Sequence, residues 1–150
     1  MKTEGVMNME AKEYLSQAYR IDQRINSKLE QVMSLRSLLG KATGTLTGAP
    51  KAATPNPYSM EDTIAKMVDL ENEINSDIDT LVDLKAEIMR CIKRVENTEY
   101  QTLLEIRYLC FKRWEEIAFE LNYSMQYAFR MHDRALAEAE IILKEESKVD

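Results

Sequence analysis

The chain has 150 residues, 45% hydrophobic and 31% charged, with a net charge of −6. That suits an ordered chain forming one domain or a small module on an elongated arm, and it excludes a low-hydrophobicity disordered chain. No apolar run approaches the ~18 residues needed to cross a bilayer, and the first residues lack the apolar core of a secretion signal, so a cytoplasmic chain with no membrane partner is expected.

Charge is unevenly spread. Residues 1–58 carry +3, residues 59–97 carry −5 and residues 98–150 carry −4. One His and two Cys supply no metal-ligand spacing. Cys91 and Cys110 read as reduced, buried thiols. No metal or cofactor is expected.

Three of the four glycines (Gly40, Gly44 and Gly48) and all three prolines lie between residues 40 and 57, and neither type recurs after Pro57. Such a chain is all-α, with its helix breaks made by Asn, Ser and side-chain caps. Residues 9–39 predict a first long helix. Ala11, Ala18, Ile25, Val32 and Leu39 recur every heptad, Lys28 and Arg36 interrupt the flanks, and Gly40 is the expected stop. Residues 40–58 are rich in small residues and proline and read as a flexible linker. Their GKATGTLTG run lacks the spacing of a phosphate loop, and no strand precedes it.

Ser59 is the expected cap of a second helix over 59–97. Met60, Met67, Ile74, Leu81, Ile88 and Val95 mark six consecutive heptads, a strong coiled-coil signal. A rod nearly 60 Å long, at ~1.5 Å per residue, cannot bury its seam alone. It must pair with the first helix, with a second copy, or with both. The acidic positions, including Asp69, Glu71, Glu73 and Asp77, read as a solvated outer face. Residues 1–97 are thus a helical arm, and 98–150 a separate module.

That module opens on a capping-box pattern at Thr98. A helix follows, with Leu103, Leu104 and Tyr108 on its apolar face. Residues Trp114 to Leu121 predict a short helix with Trp114, Ile117, Ala118 and Leu121 inward. Asn122 suits a left-handed turn position, and Ser124 caps a last helix. Two helices meeting at Asn122-Tyr123-Ser124 are the pattern of a helix-turn-helix. In that motif the first turn of the second helix faces base edges. This selects Met125, Gln126, Phe129 and Arg130 for bases. Ser124 and Arg134 lie nearer phosphates, as do Lys112 and Arg113 in the preceding loop. His132 is expected to be a partly buried, hydrogen-bonded histidine.

Arg107-Tyr108, Trp114, Glu116-Ile117-Ala118, Leu121, Ser124 and Arg134-Ala135-Leu136 together resemble region 4 of bacterial sigma factors. The likeness covers about residues 100–143. With its long helical arm the chain looks more specifically like phage or integrative-element regulators of the ArpU/RinA type. The resemblance implies a transcription regulator that binds double-stranded DNA through the positions named above. Arg113 stands where the family has a Ser or Thr cap, Asn122 replaces Gly, and Ala128 replaces a larger aliphatic. No counterpart of sigma region 2 precedes the module, so a complete promoter-melting sigma factor is not expected.

Three functions follow. The first is a DNA-binding regulator that oligomerises through its arm, most simply as a dimer. The second is a protein-interaction module docking on RNA polymerase or another regulator, which the acidic last third favours. The third is a phage DNA-packaging small subunit. No nucleophile–base pair, phosphate loop or acid–base carboxylate pair is present, so an enzyme is not expected.

Overall fold

In the computed structural model the chain is all-α, as the lack of glycine and proline after Pro57 requires. The structure describes residues 4–45 and 59–149, with side chains over 10–41 and 59–148. Among them are six helices: α1 (Glu4–Leu15), α2 (Gln17–Thr45), α3 (Met60–Lys93), α4 (Thr98–Tyr108), α5 (Trp114–Leu121) and α6 (Met125–Val149).

The expected helix over 9–39 is two helices with a turn at Ser16. Helical hydrogen bonds still cross that turn, from the Ser16 N–H to the Lys12 carbonyl and from the Arg20 N–H to the Ser16 carbonyl (2.9 and 3.3 Å). Gly40 does not stop α2, which continues to Thr45. A mid-helix glycine costs only about 1 kcal/mol relative to alanine, too little to end a helix by itself. The expected linker is therefore helical over 40–45, and its residues 46–58 lie outside the described residues. The helix expected over 59–97 ends at Lys93. The Ser59 hydroxyl does cap α3, accepting from the Asp62 N–H at 3.1 Å.

Contacts divide the chain into two compact units, residues 21–80 and residues 1–20 with 81–150. The first unit is an antiparallel pairing of α2 with α3. Ile25, Val32 and Ile74 are buried in its seam. Lys28 reaches Asp77 at 2.6 Å and Glu73 at 3.9 Å, and Arg36 reaches Glu71 at 3.3 Å. The α3 heptads thus find a partner within the chain. Asp77 is not on a solvated outer face, because Lys28 holds it beside the seam, where both side chains are largely buried.

Not all of that unit's apolar surface is covered. Leu29 is one heptad from Arg36, and Ile64 and Ile78 are one heptad either side of Glu71, so all three follow the side of the hairpin marked by the Arg36–Glu71 bridge. Each is exposed, as are Met33 and Val68.

In the second unit, Ala11, Leu15 and Ala18 pack with Ile88, Cys91, Ile92 and Val95 of α3 and its C-terminal end. Leu104 and Tyr108 of α4 and Ala135, Leu136 and Ala139 of α6 close the same core. Leu15, Ile88 and Ile92 are almost wholly buried; truncating such a side chain to alanine typically costs about 2–5 kcal/mol. A smaller cluster of Leu103, Ile117 and Met131 joins α4, α5 and α6. Burial pushes the Cys91 thiol up to about 11. Cys110, expected to be buried as well, is exposed in the segment after α4.

Candidate nucleic-acid interface

The last three helices are set by their ends. α4 is capped by Asn97 rather than Thr98: the Asn97 side-chain oxygen accepts from the Glu99 and Tyr100 N–H groups at 2.9 and 3.2 Å. α5 begins after Arg113, whose side chain makes no capping bond. It ends at Asn122, in the left-handed region at φ 59°, ψ 43°. Asparagine tolerates that conformation better than other residues with a Cβ. The Tyr123 N–H reaches back to the Ala118 carbonyl at 2.8 Å, closing the C-terminus of α5 in the way left-handed caps do. Ser124 then caps α6, its hydroxyl accepting from the Tyr127 N–H at 3.0 Å. The Tyr123 and Tyr127 rings meet edge to face at 4.7 Å, which buttresses the turn.

These ends place the first turns of α6 outward. Ser124, Met125, Gln126, Phe129, Arg130 and Arg134 are all exposed, while Ala128, Met131, Ala135 and Leu136 of the same helix are buried. Phe129 belongs partly to both sides: it is 44% exposed, yet its ring meets the edge of Trp114 at 5.2 Å. Among the described residues neither Arg130 nor Arg134 is in an ion pair; the Arg130 guanidinium lies 5.9 Å from the Tyr127 ring. Lys112 and Arg113 differ, being bound to the glutamates of α5. Lys112 is hydrogen-bonded to Glu120, which raises its pKa, and Arg113 Nε reaches Glu116 at 3.1 Å.

Behind this face, Trp114 organises the packing. His132 meets it edge to face at 4.6 Å, and the Arg107 guanidinium covers its ring at 4.8 Å. Arg107 also donates through Nη1 to the Lys112 carbonyl at 2.9 Å, tying α4 to the loop before α5. His132 is buried and 2.6 Å from the Tyr108 hydroxyl, in the hydrogen-bonded setting expected of it.

Two residues have a place in this region that the sequence reading does not assign. Arg107 enters that reading only through the sigma-like Arg107-Tyr108 pair, with no role given to its charge. Phe119 is 87% exposed, the most outward of the large apolar side chains among the described residues. Its offset from the inward Trp114, Ile117, Ala118 and Leu121 stripe was the available signal.

Residues 56–140 match the family described as "Protein of unknown function (DUF1492)". The chain belongs to that family. The DUF1492 match covers more than half of the sequence, from the residues before α3 into α6, and includes every candidate DNA-contacting residue. No curated protein and no solved structure matches the chain.

Proposed function

We propose that the chain is a DNA-binding transcription regulator of the phage or mobile-element type. The first turns of α6 enter the major groove, and the helical arm carries self-association. The observation that carries this reading is the capped, outward N-terminal turn of α6, with Met125, Gln126, Phe129 and Arg130 on its surface and two arginines, Arg130 and Arg134, that are in no ion pair among the described residues. Gln126 has the chemistry to pair bidentately with adenine and Arg130 with guanine, and Met125 or Phe129 can contact a thymine methyl. The resemblance to sigma region 4 and to ArpU/RinA-type regulators points the same way.

The charge balance makes this a selective binder rather than a strong general one. Lys112 and Arg113 are occupied by Glu120 and Glu116, so phosphates must compete for them. A single module burying ~600–1,000 Å² on DNA is weak alone, and two modules on a paired arm double the contacts. Fluorescence polarisation with duplex DNA from upstream of its own gene provides the test. Arg130→Ala and Gln126→Ala should each weaken specific binding by about 1–3 kcal/mol and leave the helical circular dichroism unchanged. Equal affinity of the wild type for that DNA and for random duplex at low salt would sink the reading.

One observation favours a second reading, docking on RNA polymerase or another regulator. Phe119 projects from α5 with Glu115, Glu116 and Glu120 exposed or half-exposed around it. Capture of polymerase without DNA, lost on Phe119→Ala, would support this over the first. The DNA-packaging alternative requires a ring, which a mass measurement in solution separates from a dimer.

A further inference from the structure

A cavity of about 140 Å³ in the second unit is lined by Ser16, Tyr19, Arg107, Tyr108, Phe111 and Arg113. It joins the turn between α1 and α2 to the loop before α5. We propose that this cavity is an oxyanion site that takes a phosphate group, with Arg107 and Arg113 supplying the charged donors and Ser16 a hydroxyl. A phosphate group fills on the order of two or three water volumes of about 30 Å³, so it fits with room for a linking oxygen.

Charge is the first argument. The chain is acidic, yet cations gather here. Arg107 has no carboxylate partner among the described residues: its Nη1 bonds a neutral carbonyl and its plane rests on Trp114. Arg113 engages Glu116 through Nε and keeps both terminal nitrogens. Its side chain is 78% exposed, so it can turn inward without unpacking anything. Lys85 lies 4.7 Å from the centre of the Phe111 ring, adding a third positive charge at the wall. Glu116 is the carboxylate bound to a lining cation, and Glu13, on the helix before Ser16, is neutralised by Arg20. Guanidinium forks of this kind match the geometry of phosphate oxygens.

Shape is the second. Phe111 has φ 59°, a left-handed conformation that is rare and unfavourable for a phenylalanine. The Lys112 N–H reaches back to the Ile106 carbonyl at 3.2 Å across this residue, and the ring meets the edge of Tyr19 at 5.6 Å and lies beside Lys85. Strain of this sort persists where surrounding contacts over-determine it, and such positions cluster at ligand sites. Ser16 makes no side-chain hydrogen bond among the described residues, so its hydroxyl has capacity to spare. The Tyr108 hydroxyl, by contrast, is committed to His132, and Tyr108 contributes only a wall.

The phosphate could belong to a DNA backbone or to a free phosphate-bearing small molecule. The first case rests on the DNA-binding function proposed above; the second does not. Trp114 is the sole tryptophan and lies under Arg107, so its fluorescence reports on the site. The full chain would be titrated with inorganic phosphate at constant ionic strength, with chloride as the control.

A saturable change is expected with phosphate and none with chloride. Arg113→Gln and Ser16→Ala, each with wild-type circular dichroism, should weaken it by roughly tenfold, the effect of losing one charge-assisted hydrogen bond. A chloride response equal to that of phosphate, or variants that titrate like the wild type, would overturn the proposal. The salt dependence of duplex binding then separates the sources. A slope reduced by about one in Arg113→Gln, with phosphate competing against DNA, assigns a backbone phosphate. Saturable phosphate binding with an unchanged slope, or with no DNA binding at all, assigns a free ligand and keeps the site.

Discussion

Tyr108 and His132 form a buried polar pair whose protonation is set by its surroundings. Burial lowers the His132 pKa to about 4, with Lys12 and Arg107 adding to the effect, and burial raises that of Tyr108. The tyrosine therefore keeps its proton beside a neutral imidazole, and the bond between the two is one of neutral partners. Because the folded-state value is depressed, the stability His132 contributes is fully present above pH 6.5. It is lost as pH falls towards 4, on the order of 3 kcal/mol in all. Glu140 acts in the opposite sense. It is buried, its pKa is raised by burial and by the neighbouring Glu10, and one of its oxygens lacks a partner. Its cost is absent below its ordinary pKa and grows as pH rises through the raised value. Glu140→Gln should accordingly be more stable than the wild type at pH 7.5, and the advantage should shrink on approach to pH 4.5. Urea denaturation at several pH values checks this, and a constant difference between the two proteins would refute it.

Helix pairing in residues 21–80 depends on one ionic contact as well as on apolar packing. Lys28 sits one heptad position inside the α2 stripe, where a hydrophobic residue would be the simpler choice, and Asp77 answers it at 2.6 Å with both side chains mostly buried. Removing one member strands a charge next to the seam, which costs about 3–5 kcal/mol for a fully buried pair and less here. Lys28→Met should lower the melting temperature, whereas Lys28→Met with Asp77→Leu should restore it or exceed the wild type. If the single and double variants melt together, the pair contributes nothing to pairing. The same contact fixes the antiparallel register, because sliding α3 by one heptad would bring Lys28 opposite Leu70 or Leu84.

For the molecule as a whole, the residues along the Arg36–Glu71 side of the hairpin support the proposed self-association. Leu29, Met33, Ile64, Val68 and Ile78 are exposed there, although Ile25, Val32 and Ile74 of the same two helices are buried. Large apolar side chains exposed together along one side of a helix pair mark an interaction surface. Met33→Glu with Val68→Glu should convert an oligomer to a monomer by light scattering, leaving Trp114 fluorescence unchanged. A wild type that is already monomeric at tens of micromolar, or a variant of unchanged mass, would remove the arm from the proposed function.

Much of the chain could be read from its residues, for local reasons. Heptad spacing, the missing glycines and prolines, Ser59, Asn122 and Ser124 act within a few residues, so they specify helices and turns directly. The same locality explains the errors at helix ends. Asn97 rather than Thr98 caps α4 because one residue's difference in backbone angle selects the cap, and Gly40 is overridden because a single glycine is a weak stop. Among the candidate contact residues, exposure at Gln126, Arg130 and Arg134 follows from helical phase. The ion pairs that occupy Lys112 and Arg113 depend on how α5 turns its glutamates back to the loop.

By itself, then, the sequence determined the helical class, the turn before α6 and the outward face of that helix, since each rests on periodicity and caps that are written locally. Only the tertiary structure decided that α3 pairs with α2 of its own chain and that Phe119 stands nearly free. It alone brought Ser16 and Tyr19 to Arg107 and Arg113. Those outcomes depend on packing between residues far apart in sequence, where the burial of one surface against another, rather than any local pattern, fixes the partner.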